Sequence, residues 1–419
     1  MNCRHCGHLL EHTFLDLGST PLSNAYLTAA ELNKPEIFFP LKLFVCDLCW
    51  LVQTEDYAKV DELFNSDYAY FSSISQVWQN HVACYVKQVC KKLRLDKQSY
   101  VIEIASNDGC LLKNFVQAGV PCLGIEPTAS TASVAEVSGI PVLREFFNYD
   151  LAVRLASENK QADLIIGNNV YAHVPDINDF TLGLKTILKP NGVITLEFPH
   201  LLQLIEGNQF DTVYHEHFSY LSLQTVNKIF KHAGLKIWDV EHLSTHGGSL
   251  RIYGCHAYDP RKISISVQEL LSKEEAIGLK RLSIYKGFQL RADKVKSDLL
   301  SYLKKKKNDG KTVAGYGAAA KGNTLLNYSG VKRDLLPFVC DAAPSKQGKY
   351  MPGSHIPILS PSALREQQPD VVLILPWNIA KEVIAQNSYV RDWGGIFVAA
   401  VPKMHITKFV DGEPEDKQI

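Results

Sequence analysis

Between residues 99 and 200 the chain alternates short apolar runs with amphipathic stretches, the pattern of strands feeding helices. "SYVIEIASNDGCLLKNFVQAG" reads as a buried strand, a tight loop over 105–109 and a helix. "PCLGIEP" adds a strand ending at Glu126, 23 residues after Glu103. "ADLIIGNNVYAHVPD" is a later strand, and "LKTILKPNGVITLEFPH" predicts a helix, a Pro-Asn-Gly turn and another strand. This alternation implies a doubly wound parallel sheet, with its ligand at the carboxyl ends of the strands. Glu103, Asn107, Glu126, Asn168 and Asn169 all fall there.

The pattern returns near the end of the chain. "GKTVAGYGAAAKGNTLLNYSG" predicts a strand, a Gly-rich loop and a helix; "LPFVCD" predicts a strand ending in Asp341. "DVVLILP" and "GGIFVAAVP" follow as buried strands, giving a second Rossmann-like unit. Ahead of it, residues 267–307 form a charge-laced helical region in which Gly278 and Gly287 mark breaks. An amphipathic helix ending at Gly234 and two strands precede that region. Nearer the start, "LGSTPLSNAYL" reads as irregular loop, and "LFNSDYAYFSSISQVWQNHVACYVKQVCKKL" turns helical, with Ser72 and Ser73 as candidate caps.

A chain of 419 residues exceeds one core. Apolar content of 46% and charged content of 21% are ordinary globular values. Formal charge is zero, which argues against nucleic acid or an anionic membrane as partner. No leader and no apolar run near the ~20 residues of a membrane span are visible, so a soluble, cytoplasmic protein is expected.

Ten cysteines in such a chain point to reduced thiols or a metal. Cys3 and Cys6, then Cys46 and Cys49, form two CxxC knuckles separated by 39 residues. Two knuckles complete a tetrahedral four-thiolate zinc site, closed to substrate and therefore structural.

The central sheet expects a nucleoside, since an acidic residue ending the second strand takes both ribose hydroxyls. A dinucleotide would call for GxGxxG, whereas this loop offers only Gly109, and Asp108 repels phosphate. S-adenosylmethionine, a cation without phosphate, fits better. Glu103, Ser106, Asn107, Asp108, Gly109, Glu126, Pro127 and Asn168 are the expected contacts. The order of these features resembles the class I methyltransferase fold, although Ala105, Ser106 and Asn107 stand where many members carry GxG.

"DTVYHEHFSY" (211–220) follows that sheet, near the expected cofactor mouth. With "MNCRHCG…CDLCW", "NSDYAYFSS", "IEIASNDG", "HGGSLRIY" and "GYGAAAKG" in this order, the chain resembles the bacterial sugar C-methyltransferase family from Cys3 to about Pro402. The resemblance implies an α/β chain in three parts: a zinc-binding module (1–65), a methyltransferase domain (66–255) and a C-terminal Rossmann-like domain holding a sugar nucleotide (256–419). It implies C-3 methylation of a nucleotide-linked 4-keto-deoxysugar, on dTDP or GDP; a chain of three domains is expected to work as a monomer. Tyr214, Glu216 and His217 would line the active site with His173 and Tyr68 or Tyr70. Asn169, Tyr70, Lys321 and Lys346 are the substrate candidates. A near-neutral imidazole suits removal of the acidic hydrogen beside a ketone, so His217 is the expected base, with hydroxyls or His173 holding the oxyanion. His215 divides between a catalytic role and a buried polar network. GYGAAAKG followed by Asp341 also admits an NAD-dependent oxidoreductase acting on a nucleotide sugar. The paired CxxC admits a non-catalytic zinc-ribbon interaction protein.

Overall fold

The computed structural model describes residues 1–57, 71–410 and 413–418. The chain divides into two compact units, each built from three segments: Met1–His12, Val45–Leu202 and His217–Leu282 in the first, Thr13–Phe44, Gln203–Glu216 and Ser283–Ile419 in the second.

The first unit is organised by a seven-stranded sheet. Its strands, in chain order, are β1 (Val101–Ile104), β2 (Cys122–Ile125), β3 (Val142–Leu143), β4 (Ala162–Asn168), β5 (Leu188–Pro199), β6 (Leu235–Leu243) and β7 (Ser249–His256). They lie in the order β6-β7-β5-β4-β1-β2-β3, parallel from β5 to β3 and antiparallel at the β6 and β7 edge. Progression reverses between β1 and β4, so the ligand crevice opens at their carboxyl ends. Helix Gln76–Leu93 lays Val82, Tyr85, Val86 and Val89 on this sheet, the i, i+3, i+4, i+7 stripe of a core-facing helix. Its cap is Ser75, whose Oγ accepts from Trp78 N, so neither Ser72 nor Ser73 caps it.

The Pro-Asn-Gly segment is not a turn ahead of β5 but an excursion inside it. Leu188 pairs with Ala162 and Val193 with Leu164, so residues 189–192 stand opposite Asp163 alone. Lys189 Nζ holds Asp163 at 2.6 Å, and a Cβ on Gly192 would sit 2.9 Å from the Ala162 carbonyl. Only glycine fits that approach.

Glu274, fully buried, fixes the chain beyond the histidine cluster. One carboxylate oxygen accepts from His200 Nε2 and Leu223 N, both at 2.7 Å, and the other from Gln224 N at 2.8 Å. Together with Ser222 it satisfies the open N-terminus of helix Leu223–His232. Short strands Val52–Thr54 and Ser219–Tyr220 pair antiparallel nearby.

The second unit carries β8 (Val313–Tyr316), β9 (Val339–Cys340), β10 (Ile358–Leu359), β11 (Val371–Ile374), β12 (Ile396–Ala399), β13 (His405–Val410) and β14 (Glu413–Gln418). Their order is β10-β9-β8-β11-β12-β13-β14; the first five are parallel and the last two antiparallel. Its reversal, between β8 and β11, is the second Rossmann-like crevice. The helical region before β8 breaks as expected: Ile265–Ile277 stops at Gly278 (φ 104°), and Phe288–Asn308 starts after Gly287 (φ 87°). Phe14 stacks on Phe288 at 4.7 Å, tying the 13–44 segment into this unit. Among the described residues, no helix is long and apolar enough to cross a membrane.

Candidate functional site

The loop after β1 is built from left-handed backbone: Ala105 (φ 56°), Asn107 (φ 50°) and Gly109 (φ 75°). A Cβ on Gly109 would approach Ile140 Cδ1 to 2.3 Å and Ala135 Cβ to 3.1 Å, so this glycine is required twice over. Gly109→Ala is therefore expected to lower stability by about 2 kcal/mol, read as a drop in the urea midpoint at constant slope.

Three carboxyls converge on the loop. Glu103, Asp108 and Glu126 are each buried. Glu126 accepts from Asn107 N (2.9 Å) and Thr128 N (2.8 Å). Asp108 accepts from Ser73 N and Oγ, and Asn107 Oδ1 accepts from Ser72 N, so the serines tie residues 72–73 over the loop. Burial, then Asp108 and Glu126, push the Glu103 carboxyl well above its usual range. Glu103 Oε2, Ser106 Oγ and the Asn168 amide are buried with no hydrogen-bond partner among the described residues. Orphaned acceptors beside crowded acids suit a cationic nucleoside whose hydroxyls and ammonium supply donors, and S-adenosylmethionine is such a group. Pro127, between Glu126 and Thr128, is half-buried at the rim.

Asn169, left-handed at φ 54°, bonds through its amide to His246 Nε2 at 3.1 Å. His246 is itself left-handed (φ 53°) in the Thr-His-Gly-Gly turn, a partner the sequence reading passed over despite the paired glycines. Below it, buried Glu197 binds Arg251, His81 and Thr245 at 2.7–2.9 Å. On the turn Tyr171–His173 after β4, the His173 ring meets His217 edge-on, with centroids 4.6 Å apart. The Tyr220 ring also meets His217 edge-on, with centroids 6.0 Å apart. The expected base and the expected oxyanion partner are thus in contact, at the carboxyl end of the cofactor sheet. Tyr68 and Tyr70 lie outside the described residues.

The metal candidates also meet. The sulfurs of Cys3, Cys6, Cys46 and Cys49 all lie within 4.8 Å of one another. Cys3 and Cys49 are 3.5 Å apart, Cys6 and Cys46 3.6 Å. A zinc–sulfur bond of ~2.3 Å in a tetrahedron asks for sulfurs near ~3.8 Å, so the set fits. The left-handed Gly7 (φ 73°) and Trp50 (φ 69°) close the two knuckles, their amides bonded to the Cys3 and Cys46 carbonyls.

In the second unit, Tyr214 is half-buried while His215 and Glu216 are buried. His215 Nε2 lies 3.1 Å from the Pro40 carbonyl and its ring edges against Phe39, which makes it a packing residue. Glu216 Oε1 accepts from Asn24 Nδ2 at 2.6 Å, and burial raises its carboxyl to about 7. Thr324 Oγ1 donates to the Val213 carbonyl, pinning this stretch to helix Ala320–Ser329.

The two lysines of the Gly-rich crevice end on different partners. Lys346 Nζ donates to the Ala318 carbonyl (2.9 Å), 3.8 Å from Asp341 and over the Tyr26 ring. Lys321 is held by Asn378 Oδ1 (3.1 Å) above Trp377, whose indole N–H donates to Asp211. Burial lowers Lys321 to about 8 and raises Asp211 to about 6.

Three family models tile the chain: a putative zinc binding domain over 3–64, a methyltransferase domain over 78–240 and a C-methyltransferase C-terminal domain over 244–402. C-methyltransferase NovU of Streptomyces niveus is 34% identical over 404 residues, covering 96% of both chains. Among solved structures, magnesium protoporphyrin IX methyltransferase from Synechocystis with bound cofactor is 16% identical and covers 42% of this chain and 79% of its own, at a TM-score of 0.33. A methyltransferase from Clostridium acetobutylicum is 12% identical over 42% of this chain and 92% of its own, at 0.34. The chain-long identity, the zinc-ready cysteines and the acid-lined nucleoside loop lead to one conclusion: the chain belongs to the bacterial C-methyltransferase family whose motifs its sequence carries, and it is an S-adenosylmethionine-dependent, zinc-binding enzyme.

Proposed function

We propose that the chain methylates C-3 of a nucleotide-linked 4-keto-deoxysugar, carried on dTDP or GDP, in the formation of a branched-chain deoxysugar. The observation that supports this most is the edge-on contact of His217 with His173 at the carboxyl end of β4. It brings two imidazoles together at the turn that follows β4.

In this reading Glu126 takes the ribose, each carboxylate oxygen keeping a lone pair beyond its backbone amide. Glu103, Ser106, Asn107, Asp108, Gly109, Pro127 and Asn168 complete the cofactor contacts. S-adenosylmethionine supplies the sulfonium methyl that the new carbon–carbon bond takes up. His217 accepts the C-3 proton, and the electron pair of that C–H bond passes into the ketone as an enolate. Hydrogen bonds from His173, Tyr214 or Tyr68 hold the charge on O-4, where donors fixed in advance do most. Glu216, near-neutral in proton affinity, orients the sugar or relays a proton. Asn169, Tyr70, Lys321 and Lys346 are assigned to the sugar nucleotide. C-3 deuterium exchange of a dTDP-linked 4-keto-deoxysugar in D2O, without methyl donor, tests the scheme. Exchange at C-3 is expected; methyl transfer that never exchanges C-3, or that lands on oxygen, would remove the enolate.

A further inference from the structure

The stretch "PLSNAYL", an irregular loop by sequence, is locked in place in the second unit. Asn323 Nδ2 donates to the Ser23 carbonyl at 2.6 Å, and Tyr26 Oη donates to the Ala318 carbonyl at 2.5 Å. Between these two anchors stands Asn24. Its Nδ2 lies 2.6 Å from Glu216 Oε1, and its Oδ1 lies 3.4 Å from the Tyr26 hydroxyl. Among the described residues, Asn24 is the one side chain that hydrogen-bonds Glu216. A loop pinned on both flanks so that one amide meets one buried carboxyl is an arrangement for control of that carboxyl.

We infer that Asn24 is a positioning residue, one that aims the Glu216 carboxyl and sets its proton affinity during methyl transfer. The inference rests on the reading of Glu216 as part of the catalytic machinery. An amide N–H stabilises the ionised carboxyl, opposing the burial that raises it. Among the described residues, the other titratable group within electrostatic reach of Glu216 is Tyr26, which in turn feels Lys346 and Asp341. His215 faces the Pro40 carbonyl instead. Removing the Asn24 donor therefore leaves the acid form favoured, and the Glu216 titration moves to higher pH.

The test follows the carboxyl directly. In protein labelled with 13C at the glutamate carboxyls, the Glu216 resonance is identified by its absence in Glu216→Gln and titrated in the wild type, Asn24→Ala and Asn24→Asp. Asn24→Ala is expected to raise the midpoint by about one pH unit, a tenfold gain in proton affinity. Asn24→Asp, which sets a second carboxyl against the first at nearly constant volume, raises it further. The matching limb of kcat/KM against pH, measured with a dTDP-linked 4-keto-deoxysugar, moves by the same amount. Cofactor affinity and zinc content stay at wild-type values. Should Asn24→Ala fail to fold, Asn24→Asp decides. An unmoved Glu216 titration overturns the inference, whatever the rate does. Glu216→Gln with full activity and an unchanged profile instead strikes the underlying role of Glu216, and the inference with it.

Discussion

His217→Ala is expected to lower methyl transfer by about 10³-fold, with S-adenosylhomocysteine affinity within about twofold of wild type. General bases contribute 10²–10⁴-fold, and here the base must break a carbon–hydrogen bond, which water at neutral pH does poorly. Cofactor binding is spared because the polar atoms assigned to it sit on the loop after β1 and at the ends of β2 and β4, and His217 supplies none of them. Deuterium exchange at the sugar carbon separates the base from a residue that merely shapes the pocket. A base variant loses exchange and alkylation together, whereas a shaping variant slows alkylation and keeps exchange. His173→Ala is a useful contrast: it removes the ring packed edge-on against His217 but leaves the base. An active His217→Ala that still exchanges C-3 would end the assignment.

The second large effect is on the fold. Stripping zinc with a strong chelator, or Cys49→Ser, should abolish cooperative melting of the N-terminal module and lead to precipitation. Structural zinc is worth ~10–16 kcal/mol in small domains, as much as the whole stability of an ordinary one. The loss is not confined to the metal's neighbourhood. The 39 residues between the knuckles include the 13–44 segment, with Asn24 and Tyr26, so both ends of that excursion are released when the sulfurs part. Activity should fall with zinc content and return on adding zinc before aggregation. Metal analysis beside circular dichroism melting reads this; a stripped protein with an unchanged melt and rate would refute it.

The buried parallel strands were legible because their apolar runs are unbroken and their punctuation is Gly, Asn and Asp, and paired CxxC placed the metal ligands. What the sequence hid were relations that depend on distant chain. The Pro-Asn-Gly of β5 has every mark of a turn, yet pairing on both sides with β4 makes it an excursion within a strand. Ser72 and Ser73 look like caps, but the carboxyl and amide of the 105–109 loop claim them, leaving the cap to Ser75. β13 and β14 lie in a polar stretch, "HITKFVDGEPEDKQ", whose alternation is too weak to announce a hairpin. His215 could not be told from His217 by spacing; in the fold one meets the Pro40 carbonyl and the other the His173 ring. Asn24 gave no local signal at all, since its meaning lies in a carboxyl nearly two hundred residues away.

The three-segment make-up of the second unit bears on how the protein is made. Residues 13–44 leave the ribosome early, but the other segments of their unit follow only from residue 203 and again from residue 283, more than one hundred and fifty residues later. At 5–20 residues per second they wait on the order of ten seconds or longer. During that interval Phe14, Leu15, Leu41 and Leu43, all buried in the finished molecule, lack the later segments of their unit. Newborn chains of this enzyme should therefore be chaperone clients, and metal captured early by the knuckles would shorten the leash on that sticky stretch.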